Sequence, residues 1–370
     1  MENTLFAELL DGTYVAIFSD PGNDDKLSLA HDTNLIHYSA VKEIGGIDQL
    51  TGKFIFETKR LTNLEKHYTY DVEFNFRERN NIIRFGGKDR YEVEKNLNNG
   101  IPDNSLGAVL LTSGLTYSDA LVGSVLNKTK NTTILLIKDN GQVIQSKINE
   151  AKRLLKPNGK VYILGGPGSV SPNIEEEMKK HFTVERISGK DRLDVALKVA
   201  EMANPTDGLV FSDSLSVSPA ATERQSPILP QWGENLMPRI KDYIKSHPTI
   251  KKVYIVSGTG VIPVSIENEL KAAGIVSIER IAGKDRYDTS LAIAKKFYPS
   301  PKIVSLANGL IFADALYGSR YSWYNNSPIL LVRANQINFN TDYYMINLRR
   351  VALLGGPATL NEELRYQILY

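Results

Sequence analysis

The sequence predicts an α/β protein in which three similar units follow a small β-rich segment. The first observation is an octapeptide that runs from Arg84 to Tyr91 and returns in similar form from Arg186 and from Arg280. The second is the spacing of about a hundred residues, which suits small domains better than solenoid repeats. The third is the alternation of short Val, Ile and Leu runs with longer amphipathic stretches, which is typical of parallel strands joined by helices. Each copy is therefore expected to have a core of its own.

Residues 1–80 differ from the rest of the chain in their pattern of polar, apolar and aromatic residues. The runs 13–18, 34–38, 53–57 and 68–76 alternate in polarity or are rich in aromatic residues, and Gly and Pro separate them. This pattern predicts a small antiparallel β domain such as a sandwich. The sequence assigns no chemistry to it.

The three repeated units are predicted to span residues 81–182, 183–276 and 277–370. In the first and third units the same landmarks follow one another: a strand, the Gly-Lys-Asp-Arg motif, a second strand, an aromatic-x-Asp-Ala-Leu run, an Ile-Leu-Leu strand and a Gly-Gly-Pro turn. The second unit keeps the Gly-Lys-Asp-Arg motif and has only partial counterparts of the last three landmarks. Asp89, Asp191 and Asp285 stand where an N-cap would begin a helix, and Ser171 with Pro172 marks another helix start. We therefore expect each copy to be a Rossmann-like or Toprim-like unit, with the second copy degenerate.

A count of strands predicts that the array closes on itself. Short strands at Thr183–Ile187 and Ser277–Ile281 follow the last helix of copies one and two, whereas copy three has no such strand. An unpaired sheet edge is an aggregation hazard. The strand Ile82–Phe85, which has no sheet upstream of it, is therefore predicted to pair with copy three and to close the units into a ring.

Composition excludes several classes of function. The 44 Lys and Arg nearly cancel the 42 Asp and Glu, so the chain is not a general polyanion binder and no nucleic acid is expected as a partner. Cys is absent and the five His are scattered, which predicts neither a metal site nor a Cys nucleophile, and no cofactor is expected. The sequence has no run of about 18 apolar residues, so membrane insertion is not expected. Because no signal peptide opens the chain, we expect either a piece of a longer exported protein or another route of export.

The candidate ligand-binding residues are the cations of the repeated motif and one recurring carboxylate. A helix N-terminus with two cations could bind an anion, although the Asp could simply cap the helix while the Arg pairs with a carboxylate of a neighbouring copy. The carboxylate could bind a sugar hydroxyl or could also be a helix cap, and copy two has Pro219 in its place. The cations are Lys88, Arg90, Lys190, Arg192, Lys284 and Arg286, and the carboxylates are Asp119 and Asp314.

No catalytic constellation is predicted. The Gly165-Gly166-Pro167 and Gly355-Gly356-Pro357 turns stand where open α/β sheets bind ligands, but they lack the spacing of a dinucleotide or phosphate loop. No repeated pair of carboxylates could serve as acid and base, so we expect no enzyme.

Together the four ordered motifs resemble the cell wall binding repeat 2 family, and the resemblance covers about Asn81 to Tyr370. It implies three units in a pseudo-threefold arrangement that anchor a surface protein non-covalently to an anionic polysaccharide of a Gram-positive cell wall. It implies a location in the cell wall or at the cell surface, binding without catalysis, and other S-layer subunits as further partners. The family's Ile-Leu-Leu motif corresponds to Ile134, Leu135 and Leu136, and to Ile329, Leu330 and Leu331; Pro230 replaces the last Leu in copy two.

Three alternatives stay open. A phage or phage-tail component could bind the same wall polymer. A Rossmann-like enzyme could act on a phosphorylated substrate, with one intact site and divergence in the other copies. A lattice protein could use its repeats to contact neighbouring subunits, and it would expose large apolar patches on them.

Overall fold

The computed structural model divides the chain into two units, one containing residues 1–80 and 366–370, the other residues 81–365. It describes residues 82–364 except for 117, 206–207, 213, 339–340, 342–343, 346–347, 349 and 363. In the first unit it describes the backbone of six strands. Both units contain the secondary structure that the sequence predicts.

The first unit is β-rich, as predicted. Its strands are β1 (Thr4–Glu8), β2 (Tyr14–Asp20), β3 (Asn23–His31), β4 (Asn34–Ile36), β5 (Gly52–Lys59) and β6 (His67–Phe74). They pair in antiparallel fashion in two sheets with the orders β1-β2-β3-β4 and β5-β6. The sandwich arrangement stays a prediction.

The second unit contains the three copies, in which helices connect parallel strands. Copy one has β7 (Ile82–Phe85), α1 (Arg90–Asn98), β8 (Leu106–Ser113), α2 (Ser118–Gly123), α3 (Leu126–Thr129), β9 (Ile134–Ile137), α4 (Gly141–Leu154), β10 (Leu155–Leu164) and α5 (Pro172–Lys179). Copy two has β11 (Thr183–Ile187), α6 (Arg192–Ala203), β12 (Leu209–Ser212), a 3-10 turn at Leu215–Val217, α7 (Ser218–Glu223), β13 (Ile228–Leu229), α8 (Pro238–Ser246), β14 (Lys252–Val256) and α9 (Val264–Ala272). Copy three has β15 (Ser277–Arg280), α10 (Arg286–Phe297), β16 (Ile303–Asn308), α11 (Phe312–Tyr324), β17 (Ile329–Val332) and β18 (Arg350–Leu354).

Each copy contributes three strands to a four-stranded parallel sheet, and the fourth strand comes from another copy. The orders are β9-β8-β10-β11, β13-β12-β14-β15 and β17-β16-β18-β7. In the third sheet, β7 pairs with β18 over Ile82 to Phe85, with Phe85 opposite Leu354. The predicted pseudo-threefold arrangement and the closed ring are both confirmed. The limits 81–182, 183–276 and 277–370 stay a prediction, because the strand that begins each repeat completes another copy's sheet.

The predicted helix caps are confirmed. Asp89, Asp191 and Asp285 have extended backbone angles, and each side chain accepts two N–H bonds from the first turn of its helix. Ser171 caps α5, with proline at the first helical position. These bonds satisfy backbone donors that a helix start leaves without intrahelical partners.

The expectation that each copy has its own core is wrong. One continuous cluster of buried residues includes Leu110 of copy one, Phe211 of copy two and Leu354 of copy three. A second cluster lies wholly in copy one, around Leu111, Ile148 and Ile163. The shared cluster follows from the ring, because α6 packs against α2 and α1 packs against α11 across copy boundaries.

The Ile-Leu-Leu strand is tied to the helix after the Gly-Lys-Asp-Arg motif through a backbone N–H. In copy one, Glu94 accepts from the N–H of Leu136 at 2.9 Å, and in copy three the hydroxyl of Ser290 accepts from the N–H of Leu331 at 2.9 Å. In copy two the corresponding residues are Ala196 and Pro230, so the acceptor and the donor are both missing. This paired loss leaves no buried N–H without a partner.

Glu94 belongs to a buried charge cluster. The Lys147 ammonium lies 2.6 Å from Glu94 and 3.2 Å from Glu150, and Lys147 and Glu94 are at most 1% exposed. Burial raises the pKa of Glu94 to about 7, although the Lys147 charge opposes the change. Lys147 therefore supplies the single positive charge that two buried carboxyl groups share.

Removal of the lysine charge is expected to destabilise the repeats. Lys147→Met would leave Glu94 and Glu150 buried without a counter-charge, a loss of about 3–5 kcal/mol. The matched change Ser290→Ala removes only an acceptor and should cost about 1–3 kcal/mol. Urea unfolding followed by the fluorescence of Trp232 and Trp323, the two tryptophans of the chain, measures both. Equal midpoints for the two variants would contradict the charge argument.

The contribution of β7 to the sheet of copy three can be tested by two truncations that differ by five residues. Removal of residues 1–85 deletes β7 and exposes the edge of β18, whereas removal of residues 1–80 keeps it. We expect the shorter chain to unfold at lower urea concentration and to aggregate at lower protein concentration. Matching midpoints and matching elution in size-exclusion chromatography would show that the strand does not close the ring.

Candidate functional site

The ring places each Gly-Lys-Asp-Arg motif beside the glycine turn of the preceding sheet. The first arginine of the octapeptide fixes this contact by donating to a turn carbonyl and pairing with a glutamate of the helix behind the turn. Arg186 donates to the Gly165 carbonyl at 2.9 Å and to Glu175 at 2.6 Å. Arg280 does the same with Ser257 and Glu267, and Arg84 with Gly355 and Glu362. Three equivalent junctions result.

The junction between copies one and two contains a groove of about 280 Å³. It brings together Asp119 of copy one with Lys190 and Arg192 of copy two, three residues that the sequence predicted separately. The other lining residues are Thr116, Ser118, Gly165, Gly166, Gly168, Ser169, Gly189, Asp191 and Val195. The groove therefore combines two cations, a buried carboxylate and several hydroxyl groups.

Asp119 lies beneath the glycine turn and is only 6% exposed. Gly165 has a φ of +106°, and a Cβ there would stand 2.5 Å from the Asp119 carboxylate, so only glycine fits. Burial raises the pKa of Asp119, while a hydrogen bond from Ser169 acts in the opposite direction. The Asp119 carboxylate is thus a hydrogen-bond acceptor that is largely shielded from water at the edge of the groove.

Asp314 occupies the equivalent place in copy three. Gly355 has a φ of +123°, and a Cβ there would stand 2.6 Å from Asp314 and 2.3 Å from the Thr359 hydroxyl. The phenol of Tyr317 donates to the other carboxylate oxygen. The alternative of a helix cap is wrong for Asp314, because α11 begins at Phe312 and its cap position is Ile311.

Copy two lacks all three residues of this arrangement. Pro219 stands in place of the Asp, Ser257 in place of the glycine with positive φ, and Val261 in place of the hydroxyl residue. Of these three replacements, only Pro219 is part of the prediction from sequence. A comparison of the chain's own copies at the turn would have revealed the other two.

The motif lysines are free to contact a ligand, whereas the helix N-termini are largely occupied. Lys88, Lys190 and Lys284 are exposed, and among the described residues their ammonium groups have no hydrogen-bond or ion-pair partner. In contrast, the backbone N–H of Lys190 donates to Asp194, and Asp191 accepts from the first turn. Anion binding at these helix starts therefore depends on side chains.

The motif arginines differ between copies. Arg90 donates to the Gly114 carbonyl and lies over the Phe312 ring, and Arg286 donates to the Gly309 carbonyl at 2.6 Å. Arg192 instead lies 4.4 Å from the centre of the Trp232 ring. The expected pairing of these arginines with carboxylates of neighbouring copies is not what the structure shows, since that role belongs to the first arginine of each octapeptide.

The Ile-Leu-Leu residues are parts of the core. Their six side chains are between 0% and 7% exposed, and they lie on the edge strands β9 and β17. A contribution of these side chains to ligand binding stays a prediction. Because these side chains are buried, they could contribute to binding only by holding the ends of their strands in place. The residues are Ile134, Leu135, Leu136, Ile329, Leu330 and Leu331.

In the part of the chain that the structure describes, no group of three or more His, Asp or Glu side chains is arranged to hold a metal ion. Nor does any described helix have the length and apolar character that a bilayer span requires.

The fold and the junctions define a ring of three tandem α/β repeats with a groove between the first and the second. The model of the cell wall binding domain 2 (CWB2) family matches residues 84–175, 186–267 and 280–365, and each match begins at the first arginine of an octapeptide. The chain belongs to this family. It is a cell-wall-binding protein, as the resemblance of its motifs predicted.

Two curated relatives come from Bacillus subtilis strain 168. An amidase enhancer is 28% identical over 260 residues, which are 69% of this chain and 35% of the relative. The N-acetylmuramoyl-L-alanine amidase LytC is 26% identical over 300 residues, which are 78% of this chain and 58% of the relative. The chain therefore spans between about one third and three fifths of the relatives it matches.

Two solved structures have the same fold. Cwp8 from Clostridium difficile has a TM-score of 0.69 at 22% identity, over 88% of this chain and 61% of that chain. Cwp6 from the same organism has a TM-score of 0.67 at 18% identity, over 96% of this chain and 61% of that chain.

The buried carboxylate in the groove should reduce stability at neutral pH. Because burial raises the pKa of Asp119, the folded chain retains a proton there that the unfolded chain loses, so stability falls as pH rises above the ordinary Asp value. Asp119→Asn should raise the melting temperature at pH 7 by roughly 2 °C and leave it unchanged near pH 3.

Asp314→Asn is the control for this measurement. Burial raises the pKa of Asp314 as well, but hydrogen bonds from Tyr317 and Thr359 and the charge of Arg90 all oppose the rise. At Asp119 only the hydrogen bond from Ser169 opposes it, so the gain for Asp314→Asn should be smaller. A lower melting temperature for Asp119→Asn at pH 7 would mean that the carboxylate stabilises the turn instead.

Proposed function

We propose that this chain anchors a surface protein non-covalently to an anionic polysaccharide of a Gram-positive cell wall. The observation that carries the proposal is the groove that joins Asp119 of copy one to Lys190 and Arg192 of copy two. Cations at the rim bind the phosphate or carboxylate groups of the polymer, and the buried carboxylate accepts hydrogen bonds from sugar hydroxyls. Equivalent motif cations stand at the other two junctions: Lys88, Arg90, Lys284 and Arg286.

The net charge of only +2 indicates that the polymer is attracted by local groups of cations. The chain as a whole exerts little pull on a polyanion, so the polymer is recognised by clustered cations and not by a uniformly basic surface. The ammonium group of Lys190 has no partner among the described residues and loses none on binding.

The role we propose is binding without catalysis. The groove has a second carboxylate, Asp191, but it caps α6 and pairs with Arg239, and this hydrogen bond holds its pKa below the ordinary value. A carboxylate occupied in this way is a poor general acid or base. The amidase activity in the name of LytC and the enhancement in the name of the other relative belong to proteins much longer than the matched segments.

The polymer partner places the chain at the cell wall or cell surface. Other S-layer subunits are a further proposed partner, and residues 1–80 precede the anchor without an assigned role.

Retention on isolated cell walls tests the proposal. Walls of Bacillus subtilis and Clostridium difficile are used before and after hydrofluoric acid has removed their phosphodiester-linked polymers. We expect the chain to sediment with untreated walls and to stay in the supernatant with treated walls. Retention should decrease as salt rises, because exposed ion contacts are screened over about 10 Å at 0.1 M ionic strength.

The triple variant Lys88→Ala, Lys190→Ala, Lys284→Ala should lose most retention and keep its melting temperature. Equal retention of the triple variant and the unchanged chain would refute the proposal. So would equal retention on treated and untreated walls.

A further inference from the structure

The three junctions repeat the same motifs, but they differ in the properties that a ligand needs. Three observations, taken together, separate the junction between copies one and two from the other two junctions. They concern the access to the glycine turn, the carboxylate beneath it and the donors of the motif arginine.

The glycine turn is accessible in copy one and covered in copy three. A Cβ on Gly166 would have no described atom within 4 Å, and the same holds for Gly258 in copy two. A Cβ on Gly356 would stand 3.1 Å from the Gly87 carbonyl oxygen, because the turn of copy three packs directly on the motif of copy one. A ligand can therefore reach the turns of copies one and two, but not that of copy three.

The buried carboxylate divides the junctions differently. Asp119 and Asp314 lie beneath the turns of copies one and three, whereas copy two has Pro219 there. Only copy one combines an accessible turn with a carboxylate among the residues that the structure describes.

The motif arginine of this junction is also the one with available donors. Arg90 and Arg286 donate to the carbonyls of Gly114 and Gly309. Arg192 has no hydrogen-bond acceptor in the described part of the chain, and the ring of Trp232 supports its guanidinium from one face. Stacking of this kind fixes a guanidinium while leaving its N–H groups free for a ligand.

We infer that the groove between copies one and two is a single site for one phosphorylated sugar unit of the polymer, and that the other two junctions are structural. The inference rests on the proposed function. The volume of about 280 Å³ lies just below the usual range of small-molecule pockets, which is about 300–1,000 Å³. It suits one sugar unit with its hydroxyls on Asp119 and Ser169 and its phosphate on Lys190 and Arg192.

Single lysine variants distinguish one site from three. Lys88→Ala, Lys190→Ala and Lys284→Ala change the same exposed position of the same motif, so each serves as the control for the others. The dissociation constant of each full chain is measured on untreated walls by sedimentation. We expect Lys190→Ala to bind on the order of tenfold more weakly, as for the loss of one charge-assisted hydrogen bond, and the other two to bind within about twofold of the unchanged chain.

A second pair of variants tests the same difference at the carboxylate. Asp119→Asn should weaken wall binding severalfold while its melting temperature does not fall, and Asp314→Asn should leave binding unchanged. Comparable losses in all three lysine variants, or a larger loss for Lys88→Ala or Lys284→Ala, would overturn the single site and leave the proposed function standing. If the triple lysine variant also binds as the unchanged chain does, the proposed function fails as well.

Discussion

The parallel pairing of β7 with β18 is the constraint on which the arrangement of the repeats depends. Since Ile82–Phe85 completes the sheet of copy three, every sheet in the ring has four strands. Each Gly-Lys-Asp-Arg motif follows a borrowed strand, so it lies against the glycine turn of another copy and not of its own. The first arginine of the octapeptide depends on the same pairing, because the carbonyl and the glutamate that it binds belong to the preceding copy. The groove between copies one and two and the continuous core both follow from this exchange.

Local signals in the sequence were sufficient for the elements and for their closure. The caps at Asp89, Asp191 and Asp285 could be predicted because a cap depends on residues within one turn. The ring could be predicted because copy three lacks a strand that copy one has in surplus. The shared core could not, because it depends on which helices meet across copy boundaries. The contact of Asp119 with the groove of Lys190 was missed for the same reason, although the joint replacement at Pro219, Ser257 and Val261 was a readable signal.

Copy two shows how a repeat can lose polar groups and still support its neighbours. Loss of one partner of a buried hydrogen bond leaves the other unsatisfied, whereas loss of both is nearly neutral. Ala196 and Pro230 satisfy this condition in place of Glu94 and Leu136. A cation–π pair between the end of the Ile-Leu-Leu strand and the Gly-Lys-Asp-Arg motif is also kept in copy two, but the cation and the ring have changed places. Lys138 lies over Tyr91 in copy one, whereas in copy two the strand end contributes Trp232 and the motif contributes Arg192. This exchange makes the Arg192 donors available in the groove.

An accessible turn must also be prevented from collapsing onto its neighbour. In copy three, Gly356 rests on Gly87, so the contact itself supports the turn. Gly166 has no such support, so burial of the flanking chain must hold its turn in place. Residues on both sides of the turn are buried in copy one and in copy three alike: Ile163, Val170 and Ile174, and Leu353, Leu360 and Leu364. Anchoring of the flanks therefore does not distinguish the two turns. They differ in the approach of the neighbouring motif, which packs against Gly356 but leaves the place beside Gly166 open.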